Sequence, residues 1–427
     1  MNSFERFGFL PADILLPGRE TEMSKWSAVA CDQYTSEPDY WKEAAAFASG
    51  SPSSLDLFLP EAFLDPSRAA EQAESINKNM RRYLSDDLFD LYRDVFVYVE
   101  RTLKNGRVRR GLVGAVDLEQ YEFTPGSDAL IRATEGTVAD RLPPRVKIRR
   151  NAPLEMPHIM LLCDDPAKTV IEPFGVRTDE LYKLYDFDLM QGAGHLRGWL
   201  VDRENKDAVY DALASLSSPE AQKAKYGEDA KKPMLFAVGD GNHSLAAAKQ
   251  CWEQIRETLP EEERKTHPAR YALCELVNVH DESLEFEAIH RVVFGCEPQK
   301  VLAAVKVYFP GAFEGRSDGQ QFSFVTNEGE TVITIPEPNA KLTVGSVQAF
   351  LDDYVSAMGA KVDYIHGDNV VRELCRGEDV CGFLLPAMSK SELFPAVMHD
   401  GVLPRKTFSM GEACDKRFYL ECRKIVK

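Results

Sequence analysis

The stretch "MLFAVGDGNHSLAAAK", residues 234–249, constrains the fold more than any other part of the chain. Its apolar run, Met234–Val238, has the length of a buried strand and ends in glycine and polar residues. Beyond that break Leu245, Ala248, Trp252, Ile255 and Leu259 recur at steps of three and four, while Lys249, Glu253 and Glu257 lie elsewhere, the pattern of an amphipathic helix. A buried strand that passes through a tight turn into such a helix calls for a sheet with helices packed on it.

The residues of that turn also have chemistry. The first backbone N–H groups of a helix point back at the turn and carry partial positive charge, so a phosphate can sit there. Gly239 and Gly241 let the backbone approach such a group or adopt left-handed dihedrals. Asp240 is suited to hold Mg²⁺ or accept a proton, His243 to contact the reacting group, and Asn242 and Ser244 to bind phosphate. The competing reading is that Asp240, Asn242 or Ser244 caps the helix and the glycines serve the turn alone. Both readings can hold together.

Charge narrows the partners. With 68 acidic and 51 basic residues the net charge is -17, which opposes attraction to nucleic acid or an anionic bilayer. One stretch runs against that sign: Ile131–Arg150 carries Arg132, Arg141, Arg145, Lys147, Arg149 and Arg150 against Glu135 and Asp140. It is either a solvated basic face or a phosphate clamp of Arg141, Arg145 and Arg149, with Glu135 as proton acceptor. His195 and Arg197, His290 and Arg291, and Lys406 are secondary candidates. Nine cysteines without a C-x-x-C pair suggest reduced thiols and a cytoplasmic protein. Neither a secretory leader nor a long apolar span is visible in the sequence.

At 427 residues the chain has room for more than one core. "PSRAAEQAESINKNMRRYL" reads as a helix, and Asn105-Gly106 marks a hairpin between two β-rich arms. "RYALCELVNVHDESLEFEAIHRVVFG" reads as a second hairpin and "FSFVTNEGETVITI" as a third. A boundary near Cys296–Lys300 gives a main domain of residues 1–296 and a smaller α+β domain of 297–427. H-E-x-x-H, Walker and G-x-S-x-G motifs are missing from the sequence, and "GNH" lacks the upstream D-x-H of metallophosphoesterases.

In order along the chain, "ACDQYTSEPDYW", "GLVGAVDLEQY", "IRATEGTVADRL", "VGDGNHSLAAAK", "AIHRVVF" and "LPRKTF" resemble the bacterial and archaeal family of unknown function numbered 1015. Many members read D-G-H-H-R at the central motif, which in turn resembles a motif of free-serine kinases in the ParB and sulfiredoxin superfamily. Asp240, Gly241 and His243 match it, while Asn242 stands for a histidine and Ser244 for the arginine. The resemblance implies an α+β (mixed α/β) fold with a ParB/sulfiredoxin-like mixed sheet core and a C-terminal α+β domain. It also implies a nucleotide, ATP or ADP with Mg²⁺, and phosphotransfer to a small hydroxylated metabolite such as free L-serine. The alternative is a regulatory protein that binds a nucleotide or phosphometabolite without turnover.

Overall fold

The computed structural model describes residues 3–427 apart from 66, 138–141, 157 and 228–232. Its fold is mixed α/β, with one eleven-stranded and one seven-stranded sheet. The chain divides into two compact units, the first running to Leu284 and resuming with Glu412–Lys427, the second spanning Glu285–Gly411. The expected boundary at Cys296–Lys300 differs from this division at both ends. The chain enters the second unit before strand Phe286–Phe294, and its last residues return to the first.

The reason for that return is strand pairing. Phe418–Tyr419 pairs with Ala28–Val29, and Arg423–Lys424 with Leu154–Glu155. The indole N–H of Trp26 donates to the Leu420 carbonyl at 3.0 Å, which fixes the segment further.

In the first unit the large sheet runs, by residue, 183–188, 195–201, 89–102, 108–117, 271–278, 160–163, 236–240, 131–133 and 121–122, and its other two strands, 9–10 and 12–17, pair with 108–117 and 89–102 off this order. The hairpin marked by Asn105-Gly106 is present, with Thr102 opposite Val108 and Gly106 at φ 83°. Phe9 stacks on Phe96 and meets Phe236 edge-on, joining three strands in one core. Strand Phe236–Asp240 lies parallel to Ile131–Ala133 and antiparallel to Met160–Cys163.

The second expected hairpin does not form. Tyr271–Asn278 pairs inside the large sheet, and Phe286–Phe294 pairs inside the other sheet. Between them Asp281 accepts hydrogen bonds from the Ser283 N–H and hydroxyl at 2.8 and 2.5 Å, which closes a turn and ends the strand. The third hairpin does form, Gln320–Thr326 against Gly329–Ile335. The stretch expected to be helical, residues 66–84, corresponds to helix Ala69–Ser85. Among the described residues, no helix is long and apolar enough to cross a membrane.

Candidate functional site

Gly239 stays in its strand, at a register shift between Val238 and Asp240 where an added residue is tolerated. Gly241 is the residue that needs to be glycine. Its φ is 79°, and a Cβ there would lie 3.0 Å from the Ile159 Cα. Helix Asn242–Thr258 starts from it without a side-chain cap, so Asp240, Asn242 and Ser244 are not caps.

Asn242 has another task. It is buried, its side-chain oxygen accepts the Thr134 N–H at 3.2 Å, and its amide lies 3.5 Å from the Val238 carbonyl. The Thr134 hydroxyl donates to that same carbonyl at 2.6 Å. The amide therefore joins the end of strand Ile131–Ala133 to the helix start, and the expected phosphate-binding role passes away from it. Glu135 follows directly and is half-buried, at the end of a strand parallel to the one that delivers Asp240. Carboxyl ends of neighbouring parallel strands are where open α/β sheets bind ligands. His243 is half-buried on the first helical turn.

Asp240 accepts the Gly241 N–H at 2.8 Å and pairs with the Lys416 ammonium at 3.2 Å. Both its oxygens are engaged, and among the described residues no group of three metal-ligating side chains forms. The Lys416 ammonium therefore competes with any metal ion for Asp240. Lys406, expected to bring in a cation, belongs to the second unit, where its ammonium lies 5.9 Å from the Tyr364 ring centroid. Lys416, on the returning segment, is the cation at the turn.

The basic stretch is brought to the motif by a helix. Leu142–Arg150 packs on Asn242–Thr258 through Leu142, Val146, Ala246 and Ala247, and the spacing puts Arg145 and Arg149 on one face. Arg145, Arg149 and Ser244 line one cavity of about 170 Å³. Arg141 lies outside the described residues. Both clamp arginines have partners: Arg145 pairs with Glu61, and Arg149 meets Glu155 at 2.6 Å. Glu155 also accepts from Arg423 at 2.7 Å and the Leu273 N–H at 2.9 Å, so Arg149 is held in a buried network.

The cavity also contains groups outside the expected set. His158, 4 % exposed, lines it beside Cys31 and Tyr419. Its Nδ1 is 2.8 Å from the Tyr419 hydroxyl, while its Nε2 makes no hydrogen bond and lies 3.7 Å from an Asp32 oxygen. Burial works against charge on this imidazole, but the Asp32 and Asp240 carboxylates outweigh it and raise its pKa above the ordinary value. Burial, helped by the Asp32 charge, pushes the Cys31 thiol up to about 12. Asp32 lies in the quoted "ACDQYTSEPDYW", yet its partner is far along the chain, and no local pattern signals such a pair.

The remaining candidates lie elsewhere. His195 bridges Asp188 and Asp186 at 2.7 and 2.8 Å, and Arg197 meets Glu100 at 2.5 Å. Their strand is separated from Phe236–Asp240 by four others, roughly 24 Å at the usual strand spacing. In the second unit His290 meets Asp368 at 2.8 Å and accepts the Leu385 N–H at 3.1 Å. Arg291 is fully buried and donates to the Gln348 side chain and to the carbonyls of Ile289, Arg405 and Lys406. These bonds build the fold of that unit.

Comparison with known proteins adds the following. Solved structures similar to this chain include a conserved hypothetical protein from Pyrococcus furiosus (12 % identity, 73 % of this chain and 94 % of that one, TM-score 0.36). Another is a free serine kinase in complex with AMP (12 %, 73 % and 90 %, TM-score 0.37). A third is SbnI with a C-terminal truncation from Staphylococcus aureus (10 %, 70 % and 82 %, TM-score 0.37). No curated protein matches the chain in sequence. The family described as "Protein of unknown function (DUF1015)" matches residues 15–354, and the chain belongs to that family.

Proposed function

We propose that this protein is a nucleotide-dependent phosphotransferase acting on a small hydroxylated metabolite, with free L-serine the first acceptor to try. The observation that carries the reading is that Ser244, on the first turn of the helix that starts uncapped after Gly241, lines one cavity together with Arg145. In this reading the nucleotide phosphates lie on the helix start, where N–H groups and the dipole favour an anion. Lys416 and Arg145 offset the charge that builds on the transferred group. The acceptor oxygen attacks the terminal phosphorus, the bond to the bridging oxygen breaks, and the diphosphate leaves. Glu135 takes the hydroxyl proton. Asp240 is paired with Lys416, and a metal ion at Asp240 would have to compete with that ammonium. Nine free thiols accord with a cytoplasmic location.

A second reading has its own support. Arg145, Arg149 and Lys416 each already face a carboxylate, so a bound phosphate has to compete with Glu61, Glu155 or Asp240. Such a site suits reversible binding without turnover by a regulatory protein. Incubation with ATP and a panel of hydroxylated metabolites, read by ³¹P NMR, separates the two. A phosphorylated acceptor that disappears in Glu135→Gln supports transfer. Saturable ATP binding with no product from any acceptor supports the regulator.

A further inference from the structure

The second unit contains two free thiols in contact. Cys296 and Cys381 are 85 residues apart in sequence, and their sulfurs are 3.7 Å apart. Strand register and one glycine bring them together. In the antiparallel pairing of Phe286–Phe294 with Val380–Leu384, Val293 lies opposite Cys381 and Phe294 opposite Val380. Past the strand end the Asp379 carbonyl accepts the N–H groups of both Gly295 and Cys296, at 2.9 and 3.2 Å. Gly295 has φ 70°, a left-handed conformation that turns the chain sharply. The Cys296 sulfur thereby comes back to within 3.4 Å of the carbonyl of Val293, the residue opposite Cys381.

The third thiol of this unit faces elsewhere. A Cβ on Gly382 would lie 2.8 Å from the Cys375 sulfur, and successive residues of a strand point to opposite faces, so Cys381 points away from Cys375. The two thiols of the pair are themselves unequal. Cys296 is 7 % exposed and sits between the exposed residues Gly295 and Glu297, whereas Cys381 is fully buried. The hydrogen bond from Cys381 lowers the pKa of Cys296, and the same bond together with burial raises that of Cys381. Since the thiolate is the nucleophile, Cys296 is placed to attack an oxidant and Cys381 to resolve the product. So little exposure admits a small oxidant and turns away a large disulfide.

We propose that Cys296 and Cys381 form a modification site for hydroperoxides, a thiol pair that closes to a disulfide across the second unit. The Cys296 sulfur attacks the O–O bond; one oxygen joins it as a sulfenic acid, and the other leaves with the thiol proton as an alcohol, or as water from hydrogen peroxide. The Cys381 sulfur then attacks the sulfenic sulfur. The S–S bond forms, the S–O bond breaks, and the hydroxide takes the Cys381 proton and leaves as water. The two thiols lose two electrons and the hydroperoxide gains them. A bond of about 2.05 Å asks the sulfurs to close by roughly 1.7 Å from their 3.7 Å contact. Reversible disulfides of this kind serve as redox sensors in reducing compartments, whereas a pair without that role is a small apolar filler. Both thiols lie in the second unit, so the proposal is independent of the phosphotransferase reading.

Thiol counting on the full chain tests this. Reduced protein is exposed to hydrogen peroxide, then unfolded in urea with N-ethylmaleimide and read by intact mass and non-reducing peptide mapping. The expected result is a fall from nine maleimide adducts to seven, with one linked peptide pair that joins Cys296 to Cys381 and that dithiothreitol separates. Nine adducts after treatment would overturn the proposal, as would a first disulfide between other cysteines. Oxidised glutathione in place of peroxide should leave all nine adducts; faster closure with it than with peroxide would refute the hydroperoxide as oxidant.

Cys381→Ala separates the two roles. Peroxide should leave Cys296 as a sulfenic acid that dimedone traps, and an unmodified Cys296 in this variant would refute its place as the attacking thiol. Should the variant not fold, dimedone added during oxidation of the parent decides the same point by which of the two cysteines it labels. The bond also closes a long loop, which restricts the unfolded chain. Tryptic cleavage within the second unit should therefore slow on oxidation and recover with dithiothreitol; an unchanged rate would contradict a bond that secures this unit.

Discussion

Asn242→Ala separates a residue that builds the site from one that serves a ligand. The substitution removes the acceptor of the Thr134 N–H, a 3.2 Å bond in a buried setting, and a longer donor contact to the Val238 carbonyl. That carbonyl keeps the Thr134 hydroxyl at 2.6 Å, so the Thr134 N–H is the group left without a partner. An orphaned buried donor costs about 1–3 kcal/mol, and we expect about 2 kcal/mol here. For a unit of this size that lowers the melting temperature by roughly 3 °C. All four tryptophans, Trp26, Trp41, Trp199 and Trp252, lie in the first unit, so urea unfolding followed by intrinsic fluorescence reports on that unit alone. Ser244→Ala, at the cavity lining, is the control and should stay within about 0.5 kcal/mol of the parent. An Asn242→Ala protein equally close to the parent would refute the structural role of this amide.

Other expectations follow from the same geometry. Gly241→Ala forces a Cβ onto a backbone at φ 79° and against Ile159; a loss of at least about 1–2 kcal/mol in the same assay is expected, and a neutral effect would contradict the turn geometry. Glu155→Gln strips charge from the partner of Arg149 and Arg423; breaking a buried pair of this kind costs about 3–5 kcal/mol, visible as a lower urea midpoint or as failure to fold. The folded state raises the pKa of His158 and lowers that of Asp32. Stability from His158 is therefore full below its ordinary value of 6.5 and lost as pH rises through the raised one, whereas that from Asp32 is present above 3.8 and lost on acidification through the lowered one. The melting-temperature gap between parent and Asp32→Asn should be widest between these limits and shrink toward alkaline pH; a gap that grows there would contradict the pairing. Cys31 is half-buried with its thiol pKa raised to about 12, so it should react slowly with iodoacetamide at pH 8 by intact mass; labelling as fast as a free thiol would contradict the raised pKa.

Local signals in the sequence were enough where the structure is local. The strand, turn and helix at residues 236–258 follow from apolar spacing and Gly241, and the hairpins at Gly106 and at 326–329 follow from turn chemistry. The arm pairing expected for 271–294 failed because two adjacent β-rich runs look like a hairpin whichever sheets they join, and here Asp281 turns the chain out of the first unit. Arg145 and Arg149 were legible as a basic face, whereas their docking on Ala246 and Ala247 was not. His158, Asp32, Lys416 and Tyr419 come together only through pairings such as Phe418–Tyr419 with Ala28–Val29. Residues so far apart in sequence leave no periodicity to read, and Lys416, not the expected Lys406, pairs with Asp240.

The most direct test of the phosphate-binding turn is equilibrium binding of ATP and ADP to the full chain and to Arg145→Ala, by titration calorimetry at two salt concentrations. Saturable nucleotide binding, weakened about tenfold or more in Arg145→Ala and weakened by salt in the parent, is the expected result. No nucleotide binding by the parent protein, or binding untouched by the substitution, would contradict it.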